Sequence, residues 1–204
     1  MSKGKMKKKS MRVDMTAMCD VSFLLLTFFV LTSTAKMPEA LPVDTPSSTV
    51  QTKLPESNLA TVTVGEGKVF FGVLGKEDRI ATLEKMGEQY QINFNDQEKK
   101  VFSYLEGIGT PMAELKAFLN LPPDVRNKVS AQQKGVPTDS LNNQLKDWVL
   151  MARTVAKEKN VFLDVAIKGD AEENYPAIKN VIDILQEQRV NKFFLVTGLR
   201  NEDF

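Results

Sequence analysis

Residues 15–35 read MTAMCDVSFLLLTFFVLTSTA, twenty-one residues with a single charge, Asp20. A helix of about 20 residues rises about 30 Å, the thickness of a bilayer's hydrocarbon core. The apolar run therefore predicts a spanning helix at residues 13–35. A cleaved signal peptide competes with this reading, because it too is basic and then apolar. The acid inside the segment and the bulky residues continuing to its end favour an uncleaved anchor. A buried core helix is the third alternative.

Before this stretch lies a cationic tip. Lys3, Lys5, Lys7, Lys8, Lys9 and Arg12 fall in the first twelve residues with no acid among them. The rest of the chain has 21 basic against 26 acidic residues, so the formal net charge of +1 sums a basic tip and a mildly acidic body. Taken alone, the tip suits nucleic acid or anionic lipid. The apolar segment following it decides for membrane lipid and against nucleic acid. By the positive-inside rule the tip, residues 1–12, stays in the cytoplasm and the remainder lies beyond the inner membrane.

Asp20 lies about 7–8 Å inside the helix start, at 1.5 Å per residue. An ionisable residue at the centre of a spanning helix costs roughly 2.5–3.5 kcal/mol on insertion scales, so it needs a partner, a water-filled cavity or a proton. At about 100° per residue, Thr16, Asp20, Thr27 and Thr34 fall within roughly 40° of one another. Such a polar stripe is poorly served by lipid, and a single span cannot supply the other helices it needs. Assembly is implied. Asp20 then reads either as a carboxyl that takes and releases protons in a bundle interior or as a fixed assembly contact. The threonines read either as part of that polar face or as helix residues bonded to their own backbone. Cys19 reads as a small packing residue.

Composition closes off much other chemistry. The chain has no histidine and one cysteine. Histidine-based catalytic triads, His-liganded metal sites, cysteine-cluster metal sites and intramolecular disulfides are thereby excluded. No phosphate-binding glycine loop and no nucleophile–base pair is found. Neither metal, cofactor nor enzymatic activity is expected. Proton handling in the membrane would rest on a carboxyl, since histidine, the side chain that ordinarily titrates near neutrality, is missing.

The entry Asp14-Met15-Thr16-Ala17-Met18-Cys19-Asp20, followed by VSFLLLTFF, resembles the ExbD/TolR family of proton-driven inner-membrane motor subunits. There a short basic tail leads into a D-M-T-P-M-x-D type entry, and the aspartate of the spanning helix carries protons. Asp20 matches that aspartate, while Ala17 stands where the family usually has proline. Near the other end, residues 161–170 (VFLDVAIKGD), 175–186 (YPAIKNVIDILQ) and 193–197 (FFLVT) look like the family's closing strand–helix–strand. The longer middle resembles the enlarged members common in Bacteroidetes. The resemblance implies a homodimer working within an ExbB-like multi-span protein, expected as a pentamer, with output to a TonB-like protein. TolR-like envelope or peptidoglycan tethering, or a structural role in a gliding or secretion motor, are alternatives.

Residues 36–58 contain four of the nine prolines and read as an extended linker outside the membrane. A tether is the plain reading. The resemblance suggests instead that the part around Leu41 and Pro42 docks as an added strand in one state. Residues 59–204 read as a periplasmic α+β domain, a mixed sheet packed by helices. Strands are predicted at 60–64 and 68–72 around a 65–67 turn, with helices at 80–90 and 111–121, the latter ended by Pro122-Pro123. A helix at 139–159 is capped by Asp139 or Ser140. A central strand at 161–167, a helix at 175–188 and a last strand at 192–197 follow, and 168–170 reads as a loop. If the 60–72 pair lies at the sheet edge, it is open to a partner strand or a second copy.

Overall fold

The computed structural model describes residues 15–32, 41–48, 53–130, 132–139, 142–171, 173 and 175–199. It separates into two compact units, Met1–Lys36 and Met37–Phe204. The first contains helix α1 (Met15–Thr32). The second is a mixed sheet with helices.

In the second unit, β1 (Ser47–Ser48) precedes a hairpin of β2 (Leu59–Gly65) and β3 (Lys68–Val73). The hairpin closes on Glu66 and Gly67, whose φ values of 53° and 69° match the twist of a two-residue hairpin turn. Four helices follow: α2 (Lys76–Tyr90), α3 (Asp96–Ser103), α4 (Met112–Leu119) and α5 (Pro123–Ser130). A small pairing of β4 (Thr138–Asp139) with β5 (Asn142–Asn143) leads into α6 (Gln144–Glu158). The chain then forms β6 (Asp164–Gly169), α7 (Tyr175–Glu187), β7 (Phe194–Val196) and β8 (Gly198–Leu199).

The main sheet has the order β3-β2-β6-β7. β2 runs antiparallel to β3 and parallel to β6, and β6 runs parallel to β7. Side chains alternate between the faces of a strand. Ala60, Val62 and Val64, with Val69, Phe71, Val165 and Ile167, face the helices and are buried in one core with residues of α2, α4, α6 and α7. Trp148 of α6 is fully buried there, its ring centroid 5.9 Å from those of both Phe71 and Phe102. The opposite face presents Thr61, Thr63 and Lys168, each half-buried.

β3 is an edge strand, but its edge is covered. Phe71 and Ile108 exchange two backbone hydrogen bonds of 2.8 Å, and Val136 N–H donates to the Val69 carbonyl at 2.7 Å. Gly72 permits this approach, since a Cβ there would come within 2.1 Å of the Glu106 carbonyl oxygen. The expected opening for a partner strand on the 60–72 pair is thus filled by the chain itself. β2 is an interior strand.

Several boundaries differ from expectation for local reasons. The helix expected from 139 begins at Gln144, because the Asn143 side chain accepts from Lys146 N–H at 3.0 Å and residues 138–139 pair in β4 instead. Ser140 lies outside the described residues. Pro122-Pro123 both ends the α4 region and opens α5, where proline suits the first turn. The unexpected α3 starts at a reciprocal capping box between Asn95 and Glu98. α2 starts at Lys76, before the expected residue 80. The strand expected from 161 begins at Asp164, because Val161 N–H closes α6 by donating to the Ala156 carbonyl. Lys168 and Gly169 end β6 rather than forming a loop.

Candidate functional site

α1 has 18 residues and a mean hydropathy of 1.9, long and apolar enough to cross a membrane. At 1.5 Å per residue it rises about 27 Å. None of its residues is buried within the protein. Asp20 is its only charged residue and stands at its sixth position. The carboxyl has no hydrogen bond or ion pair among the described residues, and it is exposed.

The hydroxyls of α1 are largely self-satisfied. Ser22 donates to the Met18 carbonyl at 2.8 Å, Thr27 to Leu24 at 2.9 Å and Thr32 to Phe28 at 2.7 Å. Thr27 therefore needs no partner helix for its proton, although its oxygen remains able to accept. Thr16 lies one turn before Asp20 and is exposed. Thr34 falls outside the described residues. Cys19 is a free, exposed thiol beside Asp20. Among its described residues, the first unit offers one carboxyl, Asp20, in an apolar helix, with the Thr16 and Thr27 hydroxyls on the same side.

In the second unit, Leu41 is 5% exposed and packs beside Gly65 on the sheet face away from the helices. Pro42 is exposed. Val43 also lies against Gly65, and Ala171 N–H donates to the Asp44 carbonyl at 2.7 Å. β1 then pairs in parallel with β8, Ser47 opposite Gly198 and Ser48 opposite Leu199. Val43 and Asp44 were not singled out by sequence. The available signal was the alternation Leu41-Pro42-Val43, which puts two apolar residues on one side of an extended segment.

Elsewhere in this unit polar groups serve the architecture. The Tyr90 hydroxyl donates to Asp147 at 2.6 Å. Burial first, and that hydrogen bond second, push the Tyr90 phenol well above its ordinary range. Arg79 donates to the Val73 and Ser103 carbonyls, joining β3 to α3, and burial lowers its pKa against the opposing pull of Glu106. Among the described residues no group of three His, Cys, Asp or Glu side chains gathers to hold a metal ion.

An apolar N-terminal helix of spanning length, followed by a separate sheet-and-helix unit, fits a single-pass membrane-anchored protein. The sequence carries this further: residues 6–199 match the family model described as biopolymer transport protein ExbD/TolR, and the chain belongs to that family. No curated protein and no solved structure matches it. Members of the family are subunits of transport motors and assemble in membrane complexes.

Proposed function

We propose that this protein is a subunit of an inner-membrane motor driven by the proton motive force, energising TonB-dependent transport across the outer membrane. Asp20 is its proton carrier. The observation that carries the reading is Asp20 itself, the one charged residue of the apolar helix α1 in an ExbD/TolR family chain. Moving one elementary charge through 100 mV is worth about 2.3 kcal/mol, so a few protons suffice for a conformational step. The polar side with Thr16, Thr27 and Thr34 faces other helices: a second copy and an ExbB-like multi-span protein, taken as a pentamer.

In this reading the N-terminus is cytoplasmic, the α+β unit periplasmic, and a TonB-like protein receives the output. The segment around Leu41 and Pro42 is the relay. Its burial at Gly65 and the bond from Ala171 to Asp44 support a docked state that movement of the span would release.

The test is Asp20→Asn, expressed at the native level. It is expected to co-purify with the same membrane partners and to abolish energised uptake, while Asp20→Glu retains part of it. Uptake at the unsubstituted level with Asp20→Asn refutes the proton role. Loss of co-purification assigns Asp20 to assembly instead.

A further inference from the structure

At one end of the sheet, where β6 and β7 begin and α6 and α7 end, lies an open trough of about 1050 Å³. Leu150, Lys157, Phe162, Asp164, Arg189 and Lys192 line it. Phe162 is 94% exposed, and Leu150 is 45% exposed. This end of the sheet is opposite to the Gly65 end where Leu41 packs, since Leu59 pairs with Asp164 and Val64 with Gly169.

The trough gathers several cations around one concavity. Six lysines, Lys68, Lys85, Lys99, Lys134, Lys146 and Lys159, form ion pairs with carboxylates. Lys157, Arg189 and Lys192 form none among the described residues. The acids nearest them in sequence are engaged away from them: Glu158 pairs with Lys85 at 2.6 Å and Glu187 with Lys146 at 3.0 Å. Among the described residues, Asp164 is the only acid lining the trough.

Cations at helix C-termini ordinarily compensate the helix dipole and its free carbonyls. Here that role is already filled. Val161 and Val190 N–H close the last turns of α6 and α7 onto the Ala156 and Leu185 carbonyls, at 3.0 and 2.9 Å. Arg153 donates to the Gln188 carbonyl at 2.7 Å. Three cations are left over beside an exposed aromatic ring. Aromatic and cationic side chains around a concavity are the usual anchors of a protein interface.

We propose that this trough binds an acidic, extended peptide segment of a partner protein, with an apolar side chain packing on Phe162 and carboxylates meeting Lys157, Arg189 and Lys192. Asp164 on the lining takes a peptide N–H or a basic side chain, a contact with no counterpart in a lipid phosphate. A concave site with a carboxylate among its cations suits a polypeptide better than a planar anionic membrane. The site belongs to the second unit and does not depend on the role of Asp20.

The experiment uses the full chain in nanodiscs of zwitterionic lipid. The probe is a fluorescein-labelled peptide of alternating Asp and Glu containing one Phe and one Leu. The expected result is saturable binding, weakened at least about tenfold when salt rises from about 0.1 M to about 1 M, which shortens the screening length from roughly 10 Å to 3 Å. Phe162→Ala is expected to weaken it about tenfold, and Lys157→Glu with Lys192→Glu to abolish it. Both variants should keep the emission of buried Trp148, showing an intact fold. Binding no stronger than that of a lysine-for-acid control peptide overturns the proposal, as does binding unchanged in the two variants. Phe162-dependent binding to phosphatidylglycerol vesicles without peptide binding assigns the trough to lipid and overturns it too.

Discussion

Leu41 lies over Gly65: a Cβ built on Gly65 would stand 3.0 Å from Leu41 Cδ2 and 2.7 Å from Val43 Cγ1. The backbone of Gly65 is not in the left-handed region, so a side chain there is opposed by these neighbours rather than by its own conformation. Both neighbours belong to the segment of the second unit that precedes β2. Gly65→Val should therefore expel residues 41–44 while leaving the hairpin in register. Full burial of a leucine is worth about 1.5–3 kcal/mol, an upper bound on the loss. The expected readout is faster hydrogen exchange at Ala171, whose N–H is bonded to Asp44, and proteolysis within residues 41–48. Unchanged exchange at Ala171 would show that the segment stays docked with a side chain at this site.

Tyr90 supplies a pH-dependent test. Burial and the bond to Asp147 raise its pKa in the folded protein above the ordinary value of 10.0. The folded state therefore keeps the phenolic proton where the unfolded chain has lost it. The stabilisation is fully present below pH of about 10 and declines as pH rises towards the folded value. Chemical unfolding of the full chain followed by Trp148 emission should show stability falling above this pH, with a smaller slope in Tyr90→Phe. Trp148 is the only tryptophan in the sequence and is fully buried, so it reports the second unit alone. Equal slopes for the two proteins would remove Tyr90 from the account.

Glu98 tests a buried carboxylate between β3 and α6. It is 2% exposed, accepts from Asn95 N–H at 2.8 Å and from Asn120 Nδ2 at 2.7 Å, and so joins the start of α3 to the end of α4. Glu98→Ala removes both contacts. Asn120 Nδ2 keeps its bond to the Lys116 carbonyl and both asparagines are exposed, so the cost should be about 0.5–1.5 kcal/mol per bond. Glu98→Gln keeps a carbonyl acceptor and should recover part of the loss. Urea midpoints of the two variants compare the effects directly; equal midpoints would mean that volume rather than hydrogen bonding matters here.

The sequence was most legible where one repeating pattern runs long. Uniform apolarity marked α1, alternation with a glycine turn marked β2 and β3, and an apolar face marked α6 and α7. The eight-residue helices α3 and α5 escaped because their starts rest on a single cap or proline rather than on periodicity. Phe162 read as part of a strand, yet α6 closes on Val161 and leaves that ring in the connection. Asp20 was legible because a lone acid in an apolar run is conspicuous. The expectation that the part around Leu41 and Pro42 docks comes from the family resemblance and from no local pattern, because the contact depends on a glycine more than twenty residues later presenting a bare sheet surface. Contacts far apart in sequence leave no local signature.

The cover on β3 yields the last prediction. Phe71 and Ile108 exchange backbone hydrogen bonds only because Gly72 leaves room for Glu106, whose carbonyl oxygen a Cβ would approach to 2.1 Å. That oxygen is backbone, so no side-chain rotation relieves the clash. Gly72→Ala must push residues 106–108 from the edge, breaking the two 2.8 Å bonds. Each broken hydrogen bond costs about 0.5–1.5 kcal/mol, more where a buried partner is orphaned. The combined loss should reach about 2–4 kcal/mol, visible as a lower urea midpoint by Trp148 emission. An uncovered edge strand also templates pairing with other chains. Light scattering should therefore rise with protein concentration in Gly72→Ala and not in Glu98→Ala, even where the two are comparably destabilised. If both scatter alike, general destabilisation explains the aggregation. If only Gly72→Ala does, the middle region serves to close this edge, leaving β7 as the outer strand without a covering neighbour among the described residues.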